Sequence, residues 1–470
     1  MDTRRTTCVL LLAGMTLLSL VGCGGSNSMS ATHNPPPAVH DEWTWVSGSD
    51  SVNQVGIYGT KGTATVGNTP GGRVHAVAWA DASGNFWLFG GFGIGSTYTD
   101  RDLNDLWEYS GGKWTWMSGS NLNNQPGMYG TKGTASINNV PGARQNLVSW
   151  VDASGDFWLF GGLGIDSTGT GGELDDLWKY DPTTNTWTWI SGSNIVNQHG
   201  VYGTEGMAAP NNVPGARFGA NSWVDASGNL WLFGGFGWDS TGIVGLLNDL
   251  WKYSPTTNTW TWMSGSNIAN QYGVYGTEGM AAPNNVPGAR SGAVAWTDAA
   301  GNFWLFGGDG GDANGARCRE TGSPCLLNDL WKYSAGEWTW MGGSNLNNEP
   351  GVYGTQGVAA PGNIPPPRSD AVGWTDATGN FWLFGGLSPY DFNDLWKYSN
   401  GEWTWMSGSS SQCPTSSYGT QGTASAGNVP GGRNDAVGWI DKSGDLWLFG
   451  GGDSFCSGSG TYNDLWEYQP

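Results

Sequence analysis

From residue 42 onward the chain is a succession of short stretches in which apolar and polar residues alternate, and the stretches recur in a constant order. One full set runs through RSGAVAWTD (290–298), NFWLFGG (302–308), NDLWKYS (328–334) and EWTWMGG (337–343). Period-two alternation over windows this short, bounded by turn residues, predicts β-strands. The connections Asp-Ala-Ser-Gly and Pro-Thr-Thr-Asn-Thr have tight-turn chemistry. Each set therefore predicts a four-stranded antiparallel meander, with strands A to D. No long amphipathic helical run follows the N-terminal segment.

The pattern repeats. Gly-Gly pairs begin at Gly90, Gly161, Gly234, Gly307, Gly385 and Gly450, 65 to 78 residues apart, and each closes a strand B. The chain opens on a strand D with no partners before it (EWTWVSGS, 42–49) and ends on a strand C with none after it (NDLWEYQP, 463–470). The two predict one completed sheet, in which the first strand covers an otherwise open edge. Six such sheets in succession predict radial packing about an axis. The Gly-Gly after an apolar strand, the aromatic pair around Trp107-Glu108-Tyr109 and the tryptophans of strand D resemble the kelch repeat and the central domain of galactose oxidase, over residues 42–469. The resemblance implies an all-β, six-bladed kelch-type β-propeller whose last blade is closed by the N-terminal strand. The period exceeds the kelch length of about 50 residues, and the surplus lies in the loops from strand D to strand A.

Recurrence separates scaffold from chemistry. Strands A to D account for thirty of the 31 tryptophans, five per unit, which assigns them to packing between blades. Arg73, Arg144, Arg217, Arg290, Arg368 and Arg433 precede strand A. Asp105, Asp176, Asp249, Asp329, Asp394 and Asp464 precede strand C, on the same face, where bidentate pairing is expected. Tyr58, Tyr129, Tyr202, Tyr275, Tyr353 and Tyr418 open a repeated Tyr-Gly-Thr. They read as loop anchors, with a ring of sugar-stacking tyrosines as the alternative. The A–B and C–D turns are minimal, so the long D–A loops and the variable B–C loops are expected to place all elaboration on one face, where binding tends to reside.

Asymmetry carries the functional reading. Two residues after each strand-A arginine stand His75, Asn146, Gly219, Gly292, Asp370 and Asp435. Because strand A is innermost in kelch propellers, the resemblance implies a polar crescent of Asp370, Asp435, His75 and Asn146 near the axis, facing a gap at the two glycines. It could bind a sugar, supply acid–base groups, hold a cation such as calcium, or line a wet channel. Trp238, in the third B–C loop, is the remaining candidate contact.

The formal charge of −20 argues against nucleic acid and acidic membrane surfaces. Arg4 and Arg5 precede a short apolar run, Val9 to Leu20, and then Leu20-Val21-Gly22-Cys23 resembles a bacterial lipobox. The organisation expected is a leader (1–22), a polar Pro-containing tether (23–40) and a propeller (41–470). Lipidation is expected at Cys23, which implies an exported cell-envelope lipoprotein, in the outer membrane where the host has one and otherwise secreted. Membrane contact is then through the lipid alone. Four cysteines remain in the propeller, and an exported chain suits disulfides. Cys318 with Cys325 and Cys413 with Cys456 are the expected pairs.

Copper chemistry of the galactose oxidase kind is rejected, because the propeller holds only His75 and His199 and its cysteines have better partners. The expected role is a monomeric module that binds a glycan or a protein partner through its loop face, with no cofactor required. The alternative is a sugar-active enzyme. A six-bladed exported kelch protein is similar to sialic-acid mutarotases, and His75, Asp370 and Asp435 are its candidate catalytic groups.

Overall fold

The computed structural model describes residues 41–315, 324–453, 456 and 459–470. The expected leader, the tether, Cys23 and Cys318 lie outside the described residues. Every regular element among the described residues is a β-strand, and no helix there is long and apolar enough to cross a membrane.

One plan recurs. Val77–Ala80, Phe86–Phe89, Leu106–Ser110 and Lys113–Ser118 form a four-stranded antiparallel sheet whose spatial order is the chain order. The same order starts again at Val148–Val151, Asn221–Val224, Val294–Thr297 and Val372–Thr375. In the sheet that begins at Val437–Ile440, the fourth strand comes from the other end of the chain. There Glu42–Ser47 runs antiparallel to Leu465–Gln469, with Trp45 opposite Trp466.

Aromatic side chains join each sheet to the next. Trp79, Trp87 and Phe89 of the first sheet pack with Phe157, Leu159, Trp178, Tyr180 and Trp187 of the second. The Trp79 and Phe157 rings stack with centroids 4.9 Å apart. The last sheet contributes Val437, Trp439 and Phe449 to a cluster with Phe86, Leu88 and Trp107 of the first. Each large side chain buried this way contributes about 1.5–3 kcal/mol. The second tryptophan of each strand D is only half-buried. Trp116, for example, lies edge-on to Tyr58 at 5.1 Å and donates its ring N–H to the Ser118 carbonyl.

The buried polar joint is the arginine–aspartate pair. In the first sheet Arg73 reaches both oxygens of Asp105 at 2.8 Å and also donates to the Gly71 and Gly90 carbonyls. Asp105 also accepts from the Tyr58 hydroxyl and the Trp107 ring N–H, each at 2.7 Å. All six units repeat the bidentate pair and the tyrosine bond. A buried ion pair is costly unless its remaining hydrogen-bonding capacity is used, and here most of it is used. The tyrosines are thus anchors, and the sugar-stacking alternative falls because their hydroxyls point inward to carboxylates.

The long D–A loops depart from expectation. They do not confine themselves to one face. After the tyrosine, each loop runs along the outermost strand of its sheet: Thr65 bridges to Trp114, Gly62 N–H donates to the Trp116 carbonyl, and Asn68 donates to the Trp114 carbonyl. The loop length therefore serves to cover an exposed sheet edge, a role that strand alternation alone does not reveal.

One position breaks the repeat in an informative way. Asn104, Asn248, Asn393 and Asn463 are buried, accept from a serine N–H, and donate to a proline carbonyl of the following loop. The second unit has Asp175 there, accepting from Ser193 N–H at 2.9 Å. Burial pushes Asp175 up to about 7, and neighbouring Asp176 adds to the rise against the opposing pull of Ser193 N–H and Lys132. A folded-state pKa above the unfolded value, about 4, means the folded chain binds that proton more tightly. The stabilisation is complete below about pH 4 and is lost as pH rises to about 7. Asp175→Asn is expected to match the parent at pH 4 and to be more stable at pH 8, the gap widening as pH rises through the interval between. Urea denaturation at several pH values reads this directly.

Candidate functional site

Strand A begins twice. Arg73–Val74 pairs with Phe92–Ile94 beyond the Gly-Gly turn, the chain then breaks at His75-Ala76, and Val77–Ala80 resumes. The break is a left-handed residue: φ is +56° at His75, +54° at Asn146, +64° at Gly219 and Gly292, +57° at Asp370 and +54° at Asp435. Glycine adopts this conformation freely, and asparagine, aspartate and histidine adopt it more readily than other residues. The choice among Gly, Asn, Asp and His at these six positions is thus partly a backbone requirement.

The six residues hydrogen-bond to one another through the main chain. Asn146 N–H donates to the His75 carbonyl, Gly219 to Asn146, Gly292 to Gly219, Asp370 to Gly292, and Asp435 to Asp370. His75 N–H donates to the Asp435 carbonyl at 3.1 Å, so the sixth bond returns to the first residue. These residues and the small side chains after them (Ala76, Ala220, Ala293, Ala371, Ala436) line a cavity of about 150 Å³.

Within it the crescent is real as a placement: His75, Asn146, Asp370 and Asp435 share the cavity with Gly219 and Gly292. His75 Nε2 lies 2.8 Å from Asp435 Oδ1, while the buried Nδ1 has no hydrogen-bond partner. Asp370 leans over Gly292, where an added Cβ would fall 2.3 Å from its Oδ1. Burial works to lower the His75 pKa, but the Asp435 carboxylate, with Asp370 behind it, more than offsets this and the net direction is up. Burial and then the neighbouring Asp435 charge push Asp370 up to about 7, against the pull of His75. Two groups absent from the sequence reading adjoin the crescent. Gln145 donates to Asp102 at 3.0 Å, and burial raises Asp102 to about 6, with His75 among the charges that temper it. Gln145 directly precedes Asn146, and that adjacency was the available signal.

Trp238 is elsewhere. It ends the long strand Leu230–Trp238, is half-buried, and donates its ring N–H to Glu173 of the preceding sheet at 3.3 Å. It is not among the residues lining the crescent cavity. Cys413 and Cys456 form a disulfide, tying the last D–A loop to the last B–C loop. Cys325 is also disulfide-bonded, and its expected partner lies outside the described residues. Among the described residues, the acidic groups close enough to share a cation are Asp391 with Asp453 and Cys456, and Asp441 with Asp445 and Glu467. The crescent carboxylates are not so gathered.

No protein-family model matches the chain, and no curated protein matches it. A solved structure titled "Structure of YjhT" is similar over 85% of this chain and 96% of its own, at 15% sequence identity and a TM-score of 0.48.

The left-handed ring yields a stability test. Asn146→Gly is expected to be nearly neutral. Asn146→Val, which must place a β-branched side chain at positive φ, is expected to cost about 1–2 kcal/mol. Chemical denaturation of the two variants checks the difference.

Proposed function

We propose that this chain is a closed, six-bladed kelch-type β-propeller, exported and tethered through a lipid on Cys23, that binds a glycan at the mouth of its central channel. The observation that carries the reading is the cavity over the hydrogen-bonded ring. It holds charged and polar groups on four consecutive units and two glycines opposite them, so hydrogen-bonding groups face open space. A concave site with few, fixed polar groups and shifted pKa values is the usual form of a ligand site.

The N-terminal end of the first described strand lies at the other end of its sheet from the crescent. The first described strand begins at Glu42, opposite Gln469, and Tyr468 in turn lies opposite Leu446. That is the end of the sheet with the short A–B turn, remote from the Arg433–Asp464 pair that marks the loop end.

The second reading is acid–base catalysis on a sugar. It is favoured by one observation: Asp370, held at about 7, sits beside the His75–Asp435 pair, so proton donor and acceptor coexist near neutral pH.

Thermal denaturation in the presence of a panel of neutral and acidic monosaccharides and oligosaccharides tests the proposal. A bound sugar at 100 times its Kd stabilises the native state by about 2.7 kcal/mol. A sugar-dependent rise in Tm is expected, and Asp370→Asn and His75→Asn, both compatible with the left-handed backbone, are expected to abolish it. A rise that survives both substitutions would place the ligand elsewhere. Anomer interconversion of the bound sugar, followed by NMR, distinguishes catalysis from binding.

A further inference from the structure

The repeat unit carries a second variable position, at the outer rim and separate from the crescent. In each Tyr-Gly-Thr-X-Gly segment, X is Lys61, Lys132, Glu205, Glu278, Gln356 and Gln421 in turn. The backbone holds X in the same place every time. The glycine after it donates to the carbonyl of the second strand-D tryptophan: Gly62 to Trp116, Gly133 to Trp189, Gly206 to Trp262 and Gly279 to Trp340, all at 2.7–2.8 Å.

In the first two units X is an ammonium in a defined cage. Lys61 Nζ donates to the Gly119 carbonyl at 2.7 Å and lies 4.3 Å from the centroid of the Trp116 ring. Lys132 Nζ donates to the Gly192 carbonyl at 2.8 Å, 4.2 Å from the Trp189 ring. A carbonyl acceptor and the π-face of a half-buried tryptophan together favour a cation.

The third and fourth units keep the acceptor and the ring but change the occupant. Trp262 with Gly265, and Trp340 with Gly343, stand where Trp116 and Gly119 stand in the first unit. Glu205 and Glu278 replace the lysines. An ionised carboxylate cannot donate to a carbonyl, and neither glutamate has a hydrogen-bond or ion-pair partner among the described residues. At Glu205 the lysine's place opens into a pocket of about 320 Å³, lined by Glu205, Asn248, Ser264, Gly265 and Tyr272. The site offers the Gly265 carbonyl and the Glu205 carboxylate, with the Trp262 ring placed as Trp116 is in the first unit, and Ser264, Gln271 and Tyr272 add polar side chains to the pocket wall.

We propose that the rims of the third and fourth units bind primary ammonium groups, namely lysine side chains of a basic protein partner. The incoming lysine reproduces in trans the contacts that Lys61 and Lys132 make in cis, and the added carboxylate neutralises its charge. Two cages on adjacent units suit two lysines of one partner, and the chain's charge of −20 favours encounter with a basic surface. The inference is independent of the crescent.

Isothermal titration of the full chain with pentalysine, and with pentalysine acetylated on every side chain, tests it at low ionic strength. Pentalysine is expected to bind and the acetylated peptide is not. The double variant Glu205→Lys/Glu278→Lys fills both cages with the residue that the first two units already tolerate, and is expected to weaken binding at least tenfold. Glu205→Gln/Glu278→Gln, the residue of the last two units, is expected to weaken it severalfold. Asp50→Lys/Glu349→Lys makes the same change in net charge at exposed positions elsewhere and is expected to retain most of the affinity. Failure of pentalysine to bind, or equal losses in the two lysine double variants, would overturn the proposal.

Discussion

A buried arginine, paired with an aspartate through two parallel hydrogen bonds, is the joint on which each unit depends. The Arg73 side chain alone links the start of strand A, the Gly-Gly turn after strand B and the start of strand C, while Tyr58 and Trp107 complete the shell of Asp105. The same residue also works through its backbone. Gly91 N–H donates to the carbonyl of Arg144 in the next sheet, and Gly451 N–H donates to the carbonyl of Arg73 itself. One residue type thus fixes both the fold of a sheet and its join to a neighbour. With charge desolvated at so many points, each carboxylate needs several donors, which explains why tyrosine, tryptophan, arginine and aspartate recur as a set.

That set decides where variation is permitted. Two residues beyond the arginine the chain turns through a left-handed residue, and the six carbonyls and N–H groups there satisfy one another. Once the main chain is self-sufficient, side chains at this level are released from structural hydrogen bonding, subject only to tolerance of positive φ. Aspartate, asparagine and histidine meet that condition and also carry polar groups, so the scaffold demand and the proposed function draw on the same residues. The same logic holds at the rim, where a backbone bond from the following glycine fixes the position and leaves its side chain to vary from lysine to glutamate to glutamine.

Much of this was legible beforehand. Period-two alternation and turn chemistry located the strands, and six-fold recurrence identified the Arg–Asp pair and the tyrosine anchors, since a residue needed in every unit is needed for the unit. The Cys413–Cys456 bond followed from the meander, which brings the last two variable loops to one end. What stayed hidden has a common cause. Alternation reports which side of a strand a residue faces, but not the path of a 25-residue loop, so the course of the D–A loops along the outer strands was missed. Nor does it report the sign of φ. The restriction to Gly, Asn, Asp and His at the crescent looked purely functional, although it is also the signature of a left-handed backbone. Trp238 drew attention as the odd tryptophan, and its partner Glu173 lies in another unit, beyond the reach of local pattern.

The central claim is that the six crescent residues form one continuous main-chain ring, on which the proposed site is built. Native-state hydrogen exchange of the six amides, from His75 to Asp435, tests it most directly. Bonded and mutually dependent, all six are expected to exchange only through global unfolding, with similar protection. Fast exchange at His75, whose N–H makes the bond back to Asp435, with slow exchange at the other five, would show an open chain and contradict the account.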